Sequence, residues 1–276
     1  MDPIIKYVGG KRREIPIFHK WLEVDFDTYV EPFVGGGAVY FHLEPQKAII
    51  NDFNKKLILF YREVANNREG LISELLQMKN EEEFYYRIRK MFNDEIEKEF
   101  SDAAIFAYIN RMAYSGLVRY SKGKKNPDGT WLVKPRFNVP YGRYKTTMEK
   151  IASFITEEAS QLLQRTLILN EDFEEVFNRI KDIENPFIFL DPPYISTFHH
   201  YNGSDGFTIE DHERLAKCFK EIHGKCLLII NDHPIVRELY ADYIKDSYDK
   251  NYAINVKNRM KDITEARHLI IANYDI

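Results

Sequence analysis

Four consecutive residues, Asp191-Pro192-Pro193-Tyr194, combine a carboxylate, an amide carbonyl held rigid by proline and an aromatic ring. Together these could grip a planar ring that carries an amino group: two acceptors for its N–H hydrogens and a face to stack on. A nucleobase has that shape. A second cluster lies upstream, where Glu31-Pro32-Phe33-Val34 leads into Gly35-Gly36-Gly37, a turn without side chains that a ligand could approach closely. Asp52, fifteen residues after Gly37, could accept hydrogen bonds from a ribose diol. The glycines do not make a dinucleotide fingerprint, because the later glycine of G-x-G-x-x-G would fall on Tyr40, too large for close helix–strand packing. The Lys-Ser/Thr pair of a phosphate-binding loop is also missing. A nucleoside cofactor without a pyrophosphate fits better, and S-adenosyl-L-methionine is one. Each motif alone has a structural alternative, a strand-to-loop turn for the tetrad and a plain strand–helix turn for the glycines.

These clusters need elements to position them. Phe187–Leu190 reads as a buried strand, and the prolines, which lack a ladder N–H, leave the tetrad at its carboxyl end. Open α/β sheets bind ligands there. Tyr29–Val34 reads as a strand feeding the glycine turn, with a helix from Ala38 onward. A second strand over residues 48–51 ends at Asp52, and Lys55 to about Val64 has helical spacing. Strands at Thr166–Asn170, Cys226–Ile230 and His268–Asn273 continue the alternation, which predicts an α/β fold with a mostly parallel sheet covered on both faces. The rhythm is interrupted from about Leu71 to Arg111 by a charged, helix-like stretch, and from Ser121 to Tyr144 by an expected β-hairpin or extended loop around Thr130-Trp131-Leu132-Val133.

Composition narrows the function classes. No apolar run has the length of a membrane span, and Met1-Asp2-Pro3-Ile4 opens without the basic and apolar regions of a signal peptide. Only two cysteines, Cys218 and Cys226, argue against a disulfide framework or a zinc–cysteine site and for a reducing, cytoplasmic setting. His199-His200 lacks a well-spaced third ligand, so no metal is expected. The net charge of −4 conceals a strong asymmetry: Arg111 to Lys145 carries nine basic residues against Asp128 alone, a net +8 that leaves −12 elsewhere. Phosphate attraction responds to such local fields, although a solvated basic loop is the alternative.

Lys6-Tyr7-Val8-Gly9-Gly10-Lys11, Glu31 to Gly37, Asn51-Asp52 and the Asp191 tetrad, in that order, resemble Dam-type (α-group) DNA adenine-N6 methyltransferases. The likeness continues through Asn110-Arg111, Tyr114, Gly116-Leu117, Arg119-Tyr120 and Phe137-Asn138-Val139-Pro140-Tyr141-Gly142-Arg143-Tyr144, and covers nearly the whole chain. It implies a Rossmann-like S-adenosylmethionine-dependent methyltransferase sheet with an inserted helical and β-hairpin target-recognition domain. Residues 1–62 would form the first part of the catalytic domain, 63–147 the insert and 148–276 the second part with the tetrad. By that resemblance Tyr7 and Lys11 would hold the cofactor, with Phe33, Gly35, Gly37 and Asp191 lining it. Asp52 would take its ribose hydroxyls, and Asp172 with Phe173 would flank its adenine. For Asp172 a helix cap is a rival role.

The resemblance also implies double-stranded DNA as partner, with a cognate restriction endonuclease as a second partner in a restriction system. Arg119 would read a guanine edge, Leu117 and Pro140 would meet thymine methyls, and Tyr114 would wedge beside the flipped base. Arg143 and Tyr144 would support the hairpin or touch phosphate, with Arg111 and Ser115 also on the DNA side. Ser115 stands where GATC-specific relatives carry asparagine, and Lys124–Arg136 is long, so GATC leads with a related or relaxed site open. Adenine N6 is a poor nucleophile because its lone pair is delocalised into the ring. Acceptance of its hydrogens by Asp191 and the Pro192 carbonyl, with Tyr194 stacked on the base, would aim that lone pair for direct transfer. Both cysteines follow lysine, not proline, which disfavours the covalent route of cytosine-C5 enzymes. Cytosine N4 or RNA adenine as target, or a silent DNA-binding module, are the rival readings. Residues 195–207 are expected to close over the base.

Overall fold

The computed structural model describes residues 1–7, 9–116, 119–126, 128, 130–195, 207–251 and 265–276, and every structural statement concerns these. The strands are β1 Thr28–Glu31, β2 Ala48–Asn51, β3 Lys124–Lys125, β4 Trp131–Val133, β5 Thr166–Leu169, β6 Pro186–Leu190, β7 Lys225–Asn231, β8 Ile244–Asn251 and β9 Glu265–Ala272. Seven of them form one sheet in the order β5-β2-β1-β6-β7-β9-β8. The first five run parallel, and β9 is antiparallel to both β7 and β8. This is the expected Rossmann-like α/β sheet. The chain leaves β1 towards β2 on one side and returns as β6 on the other, with Val30 opposite Ile188. The crevice at that reversal of direction is where the turn after β1 and the tetrad after β6 open together.

Helices cover both faces, so the inner strands are near-continuous apolar runs rather than alternating ones. Alternate residues still go to different cores. Tyr29, Ile50, Phe187, Phe189, Leu227 and Ile229 face one core, whereas Val30, Ile49, Ile188, Leu190, Leu228 and Ile230 face the other. The helices are α1 Ile15–Phe18, α2 Ala38–Leu43, α3 Lys55–Asn66, α4 Arg68–Gln77, α5 Glu82–Phe92, α6 Asp102–Met112, α7 Met148–Ala152, α8 Glu157–Gln164, α9 Phe173–Arg179, α10 Ile209–Glu221 and α11 Pro234–Leu239. Side-chain caps start many of them: Asn54 accepts from the Lys56 and Leu57 amides, and Thr208 and Asp211 close a capping box on α10.

The interrupting helices α4–α6 share the core of one sheet face, because α6 is apolar round most of its circumference and is buried from Ala103 to Asn110. A boundary after residue 62 cuts through α3, whose Phe60 packs on Phe106 of α6 at 5.6 Å. Strand β8 was not expected, since Ile-Lys-Asp-Ser-Tyr-Asp-Lys-Asn is too polar to read as one; it is the sheet's edge, where charge is tolerated. The predicted hairpin exists as β3 paired with β4. No helix among the described residues is long and apolar enough to cross a membrane.

Candidate active site

Asp191 follows the last residue of β6 and is met there by Lys11, whose Nζ donates to Asp191 Oδ1 at 2.6 Å and also to the Tyr194 hydroxyl. Lys11 is 1% exposed. It arrives on a single 3-10 turn, Lys11–Arg13, entered from Gly10. Oδ2 keeps both of its lone pairs, and Oδ1 one, to accept an amino hydrogen. Pro192 is buried and Pro193 exposed. Just past the tetrad, the Asn231 amide at the end of β7 donates to the Ile195 carbonyl at 3.1 Å and so ties down the backbone carrying Tyr194. The loop expected to close over a base, with His199 and His200, lies mostly outside the described residues.

The glycine turn is packed from outside by Tyr7. A Cβ on Gly35 would stand 2.9 Å from the Tyr7 ring and one on Gly36 2.7 Å from its Cβ, while Gly35 and Gly37 adopt φ of +46° and +66°. Only glycine suits such positions. Asp52 braces the same turn: Oδ2 accepts from the Gly35 amide at 2.9 Å and Oδ1 from Asn54 at 2.8 Å. Burial pushes the Asp52 carboxyl up, and those two bonds oppose the shift. Each oxygen keeps a second lone pair for a hydroxyl donor. Asn51, 1% exposed, joins three loops by donating to the Pro32 and Glu171 carbonyls and accepting from the Glu171 amide.

Phe33, Phe173 and Phe207 form a triangle with ring centroids 5.5 to 5.7 Å apart. Phe207 was not singled out from sequence, where it was simply the far end of a loop. Asp172 caps α9 through the Glu174 amide at 2.9 Å and accepts from Arg214 at 2.7 Å, which is the rival role foreseen for it. Arg214 in turn lies 4.8 Å from the Phe173 ring.

On the insert, Arg119 and Pro140 are exposed and Tyr114 is 55% exposed, with the Tyr114 amide donating to the Pro140 carbonyl at 2.9 Å. Lys122, Lys124, Lys125, Lys134 and Lys145 are exposed nearby. Ser115 has φ of +54°, and its amide donates to the Tyr144 hydroxyl at 2.6 Å, which makes Tyr144 a support for that turn. Arg143 is exposed and bridges to Glu82 at 3.0 Å. Leu117 lies outside the described residues. Arg111 is turned inward. Its guanidinium donates to the Ile4 carbonyl at 2.7 Å and sits 3.8 Å from the Phe154 ring, and burial pulls its pKa down to about 10. It anchors the N-terminal segment, as does Asn110, which bonds both backbone groups of Lys6.

Residues 7–263 match the family described as D12 class N6 adenine-specific DNA methyltransferase. The chain belongs to this family. The type II methyltransferase M.CviBI of Paramecium bursaria Chlorella virus NC1A is 35% identical over 278 residues, 99% of this chain and 100% of its own. The type II methyltransferase M1.LlaDCHI of Lactococcus lactis subsp. cremoris is 34% identical over 290 residues, covering 99% and 96%. The retron Ec67 DNA adenine methylase of Escherichia coli is 32% identical over 252 residues, covering 88% and 82%.

In this adenine methyltransferase a further polar cluster stands behind the tetrad. Glu14, 4% exposed, follows Lys11 by three residues, a spacing that aligns side chains on a 3-10 turn. Its Oε2 accepts from the Tyr248 hydroxyl at 2.6 Å and lies 3.0 Å from His268 Nδ1, while Lys250 Nζ is 2.6 Å from Oε1. Burial alone would push Glu14 up, but the His268 bond, the Lys11 charge and the Lys250 and Tyr248 bonds hold it at about 2. Glu31, 2% exposed at the end of β1, goes the other way. Burial pushes its carboxyl well up, with the Tyr29 bond opposing and the charges of Asp191 and Asp52 adding.

The Glu14 shift has a measurable sign. An unfolded glutamate protonates near 4.5 whereas the folded one stays ionised to about 2, so its stabilisation is complete above 4.5 and is lost as pH falls through 2. Glu14→Gln is expected to cost roughly 3 kcal/mol at neutral pH. Urea melts of wild type and variant across that acid window should converge; parallel curves would show that the ionised Glu14 carboxylate does not stabilise the fold.

Proposed function

We propose that the chain transfers a methyl group from S-adenosyl-L-methionine to N6 of an adenine flipped out of duplex DNA, at GATC or a closely related sequence. The observation carrying this reading is the Lys11–Asp191–Tyr194 constellation at the sheet's reversal of direction, beside the Asp52-braced glycine turn. The donor set suits the cofactor: Asp52 has lone pairs for a ribose diol, and Phe33, Phe173 and Phe207 offer apolar faces for an adenine. When bound, S-adenosyl-L-methionine would supply an electrophilic methyl group whose C–S bond breaks as the bond to N6 forms, the sulfur leaving as a neutral thioether and N6 giving up one proton, to Asp191 or to solvent.

The chain's own residues do the positioning. Asp191 Oδ2 and the Pro192 carbonyl accept the two amino hydrogens of the base, drawing its nitrogen lone pair out of conjugation. Lys11 holds Asp191 in place and Tyr194 stacks on the ring. Positioning and preset charge of this kind supply most of the acceleration in a direct transfer. A paired base cannot reach the tetrad, so it leaves the stack, with exposed Tyr114 as the wedge. The basic hairpin grips phosphates, and Arg119 reads guanine. Arg119→Ala is expected to relax one base position at a cost of about 1–3 kcal/mol in discrimination. Methylation of duplexes substituted at each position checks this, and uniform weakening across them would make Arg119 a phosphate contact.

Two of the relatives are named type II methyltransferases, which supports a cognate restriction endonuclease as functional partner. Expression in a host without DNA methylation, followed by sequencing for modified bases, tests the whole reading. N6-methyladenine at GATC is expected with wild type and not with Asp191→Ala. Modification at another defined site overturns the GATC assignment. Modified cytosine overturns adenine as the target.

A further inference from the structure

Glu14, His268, Tyr248 and Lys250 have no part in the mechanism above, yet they stand against it. His268 is 0% exposed on β9, and its ring meets that of Tyr194 at 5.2 Å with the planes 77° apart. Because the Glu14 carboxylate can only accept, His268 Nδ1 carries the hydrogen between them. The Tyr248 hydroxyl bonds the same carboxylate oxygen, and its ring lies 5.4 Å from His268. Strand register explains the assembly. Asn231 of β7, His268 of β9 and Tyr248 of β8 are direct cross-strand partners and form one row across the sheet. The Asn231 end of that row holds the Ile195 carbonyl, so the segment carrying Tyr194 is fastened by its backbone while His268 abuts its ring.

Buried charges are costly, and apolar residues of similar volume serve packing at least as well. A paired ionic cluster at this place therefore has a better explanation in orientation than in stability. It also joins the tetrad through Lys11, whose ammonium touches Asp191 and Tyr194 and whose charge acts on Glu14.

We propose that Glu14 and His268 are positioning residues for Tyr194. Glu14 fixes the imidazole through Nδ1, and the imidazole, perpendicular to the Tyr194 ring, sets the plane on which the flipped adenine stacks. Lys11 holds the phenol hydroxyl at the other end of the same ring. This rests on the reading that Tyr194 stacks on the target base.

The test uses the full chain with S-adenosyl-L-methionine and a duplex carrying the modified site, alongside the same duplex with 2-aminopurine in place of the target adenine. Glu14→Gln removes the charge, and His268→Phe keeps a ring without the Nδ1 bond. Both are assayed at a temperature where melts show them folded. Each is expected to lower the single-turnover rate by about 10- to 100-fold, the loss typical of a small misplacement of reacting groups. Dissociation constants for DNA and cofactor should stay within about threefold, and the double variant should be no slower than the slower single one. Emission of the flipped 2-aminopurine should rise above the wild-type complex as it loses its stacking partner. Rates within twofold of wild type, in a protein whose Tyr194→Ala variant is slow, overturn the positioning role alone. Wild-type rates from Tyr194→Ala overturn the stacking reading and this inference with it.

Discussion

Asp191→Ala is expected to lower the single-turnover rate of methyl transfer by about 10³-fold, because it removes an acceptor aimed at the nitrogen where charge redistributes. Cofactor and DNA binding should weaken far less. The substitution leaves the Asp52-braced turn, the three phenylalanines and the exposed hairpin intact, none of which bonds Asp191. Asp191→Asn is expected to do little better. Its amide offers one oxygen where the carboxylate has two, and an NH2 group in place of the second, facing either Lys11 or the base amino group. Stopped-flow or quenched single-turnover assays under saturating cofactor separate chemistry from product release, and a variant that retains a tenth of the wild-type rate would falsify the catalytic assignment.

Lys11→Met should produce the second-largest loss, about 10²-fold in the same assay, on the scale of a misplaced reacting group. The ammonium is buried and shared between Asp191 and Tyr194, so its removal leaves a carboxylate without its cation and a phenol without its donor. Part of the Asp191 side chain reaches solvent, which moderates the cost to stability. Lys11→Arg is not expected to rescue the rate, since a planar guanidinium does not fit a site built round a point charge. The experiment also decides between two roles for Lys11. If it serves the tetrad, as its contacts indicate, the rate falls while cofactor affinity holds. If it serves the cofactor, as the family likeness implied, affinity falls in step with rate.

These two residues mark how far the sequence can be read. The tetrad was legible because its signal is local: a short apolar run stopped by prolines reads as a strand end, and strand ends in α/β sheets face ligands. The Gly35–Gly37 turn and Asp52 were legible for the same reason, since each closes a short strand. That Lys11 would lie on Asp191 was not, the two being 180 positions apart. The Glu14–His268 contact spans 254 residues and involves a glutamate in a charged run and a histidine inside a strand, neither of which stands out. The contacts of Arg111 were equally hidden. Counted by charge it belonged to the basic insert, but α6 turns it inward to the Ile4 carbonyl and the Phe154 ring.

By itself, then, the sequence determined the chemistry at each strand end, the order of the motifs and the presence of a basic hairpin, since proline and glycine geometry and the spacing of apolar residues act over a few positions. Tertiary structure alone decided which cation holds the Asp191 carboxylate and which basic residues of the insert remain exposed. It also decided what stands behind Tyr194. Those outcomes depend on which faces of distant elements meet when the sheet closes, and no local pattern encodes that meeting.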